Sequence, residues 1–265
     1  MAALTAWIDG IGLLAPGLPD WAAGQAVLAG QVNYAAAPTL LPAPELLPPA
    51  ERRRASRVVK LALATGLEAV RQAGADASTL ATIFAASGGD GHNCHALCEA
   101  LASDDRQVSP TRFHNSVHNT AAGYWGIATG AMAPCQVLCA YDASFAAGVL
   151  DALAQVTASG RPVLLVAYDA EYPEPIRSLR KVPDAAGIAL LLSPAQSSAN
   201  RARLTVRLDD GAATTLADPV LEALRLSNPA LRGLPLLDCL ARRAAGEVRL
   251  EYLAPLTLAV EVAPC

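Results

Sequence analysis

Charged side chains are scarce in this sequence. Asp, Glu, Lys and Arg make up 17% of its 265 residues, while 53% are hydrophobic. Disorder needs the opposite balance, so a globular chain with ample core is expected. The 24 acids outnumber the 20 bases, for a net charge of −4, and no basic face for nucleic acid is indicated. Aromatic residues contribute only 5%. Alanine carries much of the apolar count, and its small side chain lets helices lie close to a sheet. Long hydrophobic runs are absent too: none reaches the roughly 18 residues that argue for a transmembrane helix. Residues 1–9 lack a basic stretch and meet an acid early, so no signal peptide is read. The six cysteines are scattered rather than packed into a small framework, which predicts free thiols in a reducing cytoplasm. At this length the chain makes one large domain or two small ones.

Ligand motifs are missing as well. The glycine-rich run Ser87-Gly88-Gly89-Asp90-Gly91 lacks the Lys-Ser/Thr of a phosphate loop, so nucleotide binding is rejected. His92, Cys94, His95 and Cys98 lie upstream of His114 and His118. Their spacing is too loose for a zinc knuckle, and neither a metal nor a cofactor is expected.

What is present alternates between strand and helix. Strands are predicted over residues 6–14, 31–34, 80–86, 136–141, 163–168 and 186–192, with an edge strand over 203–208 and two closing strands over 247–252 and 256–262. Helices are predicted over 21–28, with Asp20 as N-cap and Gly30 as stop, then 48–73 with Gly74 as stop. Further helices are predicted over 93–102, 144–153, 219–226 and 231–245. Residues 35–50 form a Pro- and Ala-rich loop. This alternation implies an α/β fold with a mostly parallel sheet covered on both faces. Arg52, Arg53, Arg54 and Arg57 crowd the start of the long predicted helix. They form either a solvated face or a site for an acidic partner, and cations there oppose the helix dipole.

The chemistry gathers in residues 109–153. A strand over 136–141 runs into the turn Tyr141-Asp142-Ala143-Ser144 and then a helix. A side chain at such a junction points into a cleft at a helix N-terminus, where a thiol's pKa falls and developing negative charge is held. Here the turn carries Asp142. One reading makes it the N-cap of the following helix; the other makes it a catalytic or pocket-lining carboxylate. Cys135 and Cys139 read as buried small hydrophobes, and Tyr124 and Trp125 as core or interface aromatics.

These parts, in this order, resemble the N-terminal half of a β-ketoacyl synthase of the thiolase superfamily. The likeness rests on Ile8-Asp9-Gly10-Ile11-Gly12, the arginine-rich helix at 52–63, the strand and glycines at 84–89, and Pro110 followed by Asn119-Thr120-Ala121-Ala122-Gly123. It continues through Ala133-Pro134-Cys135, the helix at 143–153 and the strand at 163–168. It covers residues 5–195 and implies a thiolase-like layered α-β-α fold. Residues 1–195 would be the ketosynthase-like domain, and 196–265 a shortened extension on the same core.

Two departures qualify the likeness. Asp142 stands where the family has its acyl-accepting cysteine, and a carboxylate is a poor acceptor because a mixed anhydride lies uphill of a thioester. The His-Gly-Thr-Gly-Thr and Asn-x-x-Phe-Gly patterns that carry the family's two histidines do not occur. The chain is thus similar to the chain-length-factor subunits of aryl polyene clusters, pseudo-enzymes that pair with a true ketosynthase. The resemblance implies pairing through the strand before the vacated nucleophile. Phe113, His114, Asn115, His118, Asn119, Tyr124, Gln136, Leu138 and Ala140 would then face the partner or its acyl tunnel. The four arginines would meet an acyl carrier protein. The rivals are an enzyme active alone through Asp142 or His118, and a structural binder of carrier protein.

Overall fold

The computed structural model describes residues 3–265; Met1 and Ala2, part of the segment read as lacking a signal, lie outside the described residues. In chain order the elements are β1 (Leu4–Leu14), α1 (Trp21–Leu28), α2 (Pro49–Arg54), α3 (Arg57–Ala73), β2 (Ala81–Ala85), α4 (Gly91–Ala102), α5 (Pro110–Ser116), α6 (Thr120–Thr129) and β3 (Cys135–Leu138). They continue with α7 (Ser144–Ser159), β4 (Val163–Asp169), α8 (Ile176–Leu179), β5 (Ala186–Ser193), β6 (Ala202–Asp209), α9 (Pro219–Ser227), α10 (Leu234–Ala241), β7 (Gly246–Glu251) and β8 (Thr257–Pro264). The eight strands form one sheet in the order β3-β2-β4-β5-β1-β6-β8-β7. Among the described residues no helix is long and apolar enough to cross a membrane.

Helices cover both faces of the sheet's centre. Strand β4 is buried along its whole length. Val163, Leu165 and Ala167 face a core shared with α1, α7 and α10, while Leu164, Val166 and Tyr168 face a core shared with α3 and α6. The period-two pleat of one apolar strand therefore supplies two cores. Strands β6, β7 and β8 continue the sheet, and their Leu204, Val260 and Leu250 join the same core as Ile8 and Phe145. The Gly10/Gly12 pair of β1 has a steric reason. A Cβ on Gly10 would lie 2.0 Å from the Ala69 carbonyl oxygen, and one on Gly12 would lie 2.0 Å from that of Thr65. Helix α3 can approach the strand this closely only where both side chains are absent.

Several expectations are corrected. The sheet is not mostly parallel: β2 is parallel to β3 and β4, but the β4–β5, β5–β1, β1–β6, β6–β8 and β8–β7 pairs are antiparallel. A parallel neighbour needs a full crossover, and only a loop with the four-residue α8 joins β4 to β5. No strand forms over residues 31–34. The stretch read as an edge strand is β6, held between β1 and β8. Its alternation reflects one wet face, with Arg203 and Arg207 outward. The long arginine-rich helix is two helices, because Ala55 turns extended (ψ 117°) between α2 and α3. The last predicted helix is a 3-10 turn (Pro229–Gly233) followed by α10, which restarts where Pro235 fits a first helical turn.

Candidate functional site

The elbow after β3 is built by local hydrogen bonds. Beyond Leu138 the chain enters a 3-10 turn (Tyr141–Ala143), with Tyr141 at a left-handed φ of 54°. The buried Ser144 opens α7 and locks the turn: its hydroxyl donates to the Tyr141 carbonyl at 2.7 Å and accepts from the Ala140 N–H at 3.0 Å. Positive φ on a bulky residue is strained and persists only when its surroundings enforce it.

Asp142 does not cap α7; no side-chain capping bond forms there. Its Oδ1 accepts from Arg180 Nη2 at 2.6 Å, and its Oδ2 lies 3.8 Å from Arg232 Nη2. Arg180 also lies over the Tyr141 ring, 3.7 Å from the ring centre. Arg232 pairs with Glu251 at 2.6 Å, and the buried Arg225 pairs with both Glu251 and Glu222. A line of alternating charges thus runs from the elbow to β7. It engages the Asp142 carboxylate as a counter-ion. No thiol occupies the turn. Cys139, three positions upstream, donates from Sγ to the Ser87 carbonyl at 3.2 Å. Cys135 and Cys139 are exposed rather than buried, because they lie on and beyond an edge strand.

The ends of the three parallel strands converge behind the elbow, where open α/β sheets gather polar groups. Asp169 closes β4 and is buried. Its Oδ1 accepts from the Ser87 hydroxyl at 2.6 Å and from the Ser87 N–H at 2.9 Å. Burial pushes its carboxyl up to about 7 despite those two bonds. The Tyr172 hydroxyl lies 3.5 Å from Ser87 Oγ, and burial raises that phenol too. Sequence reasoning missed Asp169, Arg180, Tyr172 and Arg232. The one local signal was an acid ending an otherwise apolar strand; the two arginines come from distant loops and have none.

The residues expected at a partner face divide into two groups. Asn115 and Tyr124 turn inward. Asn115 donates to the Arg54 carbonyl at 2.9 Å and accepts from the Tyr124 hydroxyl at 3.3 Å, both side chains being buried. These two support the surface rather than form it. His118 is half-buried, with Nε2 3.3 Å from the Ala86 carbonyl. Phe113, His114, Asn119 and Gln136 are exposed, and Leu138 and Ala140 are half-exposed. Gln136 accepts from Gln155 at 2.8 Å. Strand β3 is a sheet edge, and the α5–α6 segment leaves Phe113, Val117 and Ile127 exposed, as the turn from α6 to β3 leaves Met132. Trp125 is core, meeting Phe84 edge-on at 6.1 Å.

Of the four arginines only Arg57, the first residue of α3, stands where a cation opposes a helix dipole. Arg52, Arg53 and Arg54 occupy the last turn of α2, where positive charge is favourable. Arg52 donates to the carbonyls of Glu45 and Leu47, Arg54 pairs with Glu51 at 3.2 Å, and Arg57 pairs with Glu171 at 2.7 Å and Asp184 at 3.2 Å. Among the described residues Arg53 has no such partner. Within the same residues, no group of three or more His, Cys, Asp or Glu is placed to hold a metal.

Residues 21–243 match the model of the β-ketoacyl synthase N-terminal domain, and the chain belongs to that family. No curated protein sequence matches it. The structure of a ketosynthase (ApeO) in complex with its chain length factor (ApeC) from Xenorhabdus doucetiae is similar at TM-score 0.72 and 22% identity, covering 98% of this chain and 99% of the other. The ishigamide ketosynthase/chain length factor is similar at TM-score 0.73 and 15% identity, covering 98% and 99%. A complex of AntDE with the acyl-carrier protein AntF gives TM-score 0.75 at 10% identity and covers both chains fully. At these identities the likeness establishes the fold: a thiolase-like, layered α/β ketosynthase fold.

Proposed function

We propose that this chain, a member of the β-ketoacyl synthase family, is a chain-length-determining subunit without condensing activity of its own. It pairs with a catalytic β-ketoacyl-[acyl carrier protein] synthase in aryl polyene or related polyketide synthesis. One observation carries the reading: the elbow that holds a thiol nucleophile in an active synthase holds Asp142 here, with its carboxylate engaged by Arg180 and Arg232. A carboxylate engaged in this way is a poor acyl acceptor, because a mixed anhydride lies uphill of a thioester. The partner supplies the cysteine and the histidines, and this chain supplies a wall.

The wall is the exposed edge of β3 with the α5–α6 segment. Phe113, His114, His118, Asn119, Gln136, Leu138 and Ala140 face the partner, and the buried Asn115–Tyr124 pair sets the height of α5 beneath them. Unpaired edge strands with apolar neighbours mark association surfaces. The acyl carrier protein reaches the complex, and of the four arginines around α2, Arg53 is the one with no ion pair or hydrogen bond among the described residues and so is offered to it. The subunit works in the cytoplasm and needs no cofactor. A rival reading, an acyltransferase or decarboxylase active alone, finds its support in Asp169, a neutral-range acid hydrogen-bonded to a serine.

The test is an assay of the purified chain, alone and with its synthase, on malonyl and acyl carrier thioesters. Condensation should require both proteins. Bulky substitution at Phe113 or Leu138 should shorten the product distribution without abolishing turnover.

A further inference from the structure

Tyr141 is the residue that the elbow does not need and yet holds most firmly. Its backbone sits at φ 54°, a conformation glycine or asparagine adopts at less cost. Its side chain is 60% exposed, so the strain is not repaid by burial. Its main chain is nonetheless locked by Ser144, which binds the Tyr141 carbonyl and the Ala140 N–H. Its ring is stacked under Arg180, whose guanidinium lies 3.7 Å from the ring centre. Arg180 is itself largely buried and tied to Asp142 at 2.6 Å; Asp142 is flanked by Arg232, which Glu251 holds at 2.6 Å. Four charged side chains therefore fix the position of one exposed aromatic ring.

We infer that Tyr141 is a preset anchor for the partner subunit, and that Asp142 is the positioning residue that keeps Arg180 on its ring. This rests on the pairing with a synthase proposed above. A tyrosine held in one rotamer gives large, amphipathic contact area for little ordering entropy, and such residues dominate association surfaces. The charge balance specifies the receiving site. Asp142 cancels Arg180, so the anchor arrives as a neutral ring; it fits an apolar pocket with a hydrogen-bond acceptor for the hydroxyl, which has no partner among the described residues. The anchor lies three residues beyond the end of the sheet-edge strand β3, so a synthase docked on that edge meets it. The aspartate at the vacated nucleophile position then holds the pair together instead of doing chemistry.

The experiment compares affinity for the synthase across variants of the full chain. Tyr141→Gly removes the ring and relieves the backbone strain, so the chain should fold at least as stably while the dissociation constant rises tenfold or more. Tyr141→Phe should weaken binding by no more than a few-fold. Asp142→Asn frees Arg180, and should weaken binding more than Tyr141→Phe and less than Tyr141→Gly. In the double variant Asp142→Asn/Tyr141→Gly, the aspartate change should add nothing, which separates positioning from a merely structural role. Unchanged affinity of Tyr141→Gly overturns the anchor while the pairing stands. A wild-type chain that binds no synthase overturns the pairing itself. If Tyr141→Gly instead dissolves a homodimer, the anchor serves a second copy and the assignment of the synthase is wrong.

Discussion

Asp169 offers a test of the buried polar centre that needs no substrate. Its carboxyl sits at about 7 in the folded chain against an ordinary value of 3.8, with desolvation the main cause. Between those two values the folded state keeps a proton that the unfolded state has lost. Stability must then fall as pH rises through the window, and stop falling above about 7, where both states are ionised. Each pH unit across the window is worth about 1.36 kcal/mol, so the full change is up to about 4 kcal/mol. Replacing Asp169 by Asn keeps an oxygen to accept the Ser87 bonds but carries no titrating proton. Urea unfolding, followed by the fluorescence of the buried Trp125, would be measured from pH 4.5 to 7.5 for both proteins. Asp9 and Glu68, also raised by burial, act in the same direction in both and cancel in the difference. The wild-type advantage over Asp169→Asn should shrink steadily as pH rises across the window. Parallel curves, or an advantage that grows with pH, would refute a protonated Asp169 behind the elbow.

Further outcomes follow from the packing and the surface charges. Gly12→Ala drives a methyl to 2.0 Å from the Thr65 carbonyl oxygen, and should cost about 3 kcal/mol, the top of the overpacking range, seen as a lower urea midpoint. Gly123 on α6 is exposed with nothing within 4 Å of a built Cβ, so Gly123→Ala should instead raise that midpoint, by about 0.5–1 kcal/mol of helix propensity. Reversing Arg53 to Glu should weaken carrier-protein binding, by calorimetry, without a loss of stability. Reversing Arg57 should lower the melting temperature, because it strands Glu171 and Asp184, its partners at 2.7 and 3.2 Å; equal effects of the two would argue against a carrier contact at Arg53.

The layered fold was legible where side-chain pattern and backbone need coincide. The apolar runs of β4 and β5, the capping Asp20, and the stop at Gly74 all read directly from the chain. Strand direction was less legible, because an apolar run looks the same whichever way its neighbour points. The link between β4 and β5 spans residues 170–185 and carries only the four-residue α8, so it offered no periodic helix to mark a crossover. At the site, the elbow with Asp142 in its turn was visible because a turn between strand and helix leaves a local signature. The N-cap reading of Asp142 failed because Arg180 and Arg232 are 38 and 90 positions away in sequence. Periodicity carries no trace of such long-range ion pairs. Asp169 was hidden for a related reason: its role depends on Ser87, which sits on another strand's end. The exposure of Cys135 and Cys139 follows from β3 being an edge, a property of strand order and not of composition.

The central claim is that the elbow has been vacated and the chain works only in a pair. It is tested most directly by single-turnover assays with a radiolabelled acyl carrier thioester. The chain, its synthase and their mixture would each be checked for covalent label and for condensation with malonyl carrier thioester. Label is expected on the synthase alone and none on this chain, with full condensation only in the mixture. Stable acyl label on this chain, or condensation by this chain in the absence of a synthase, would contradict the claim.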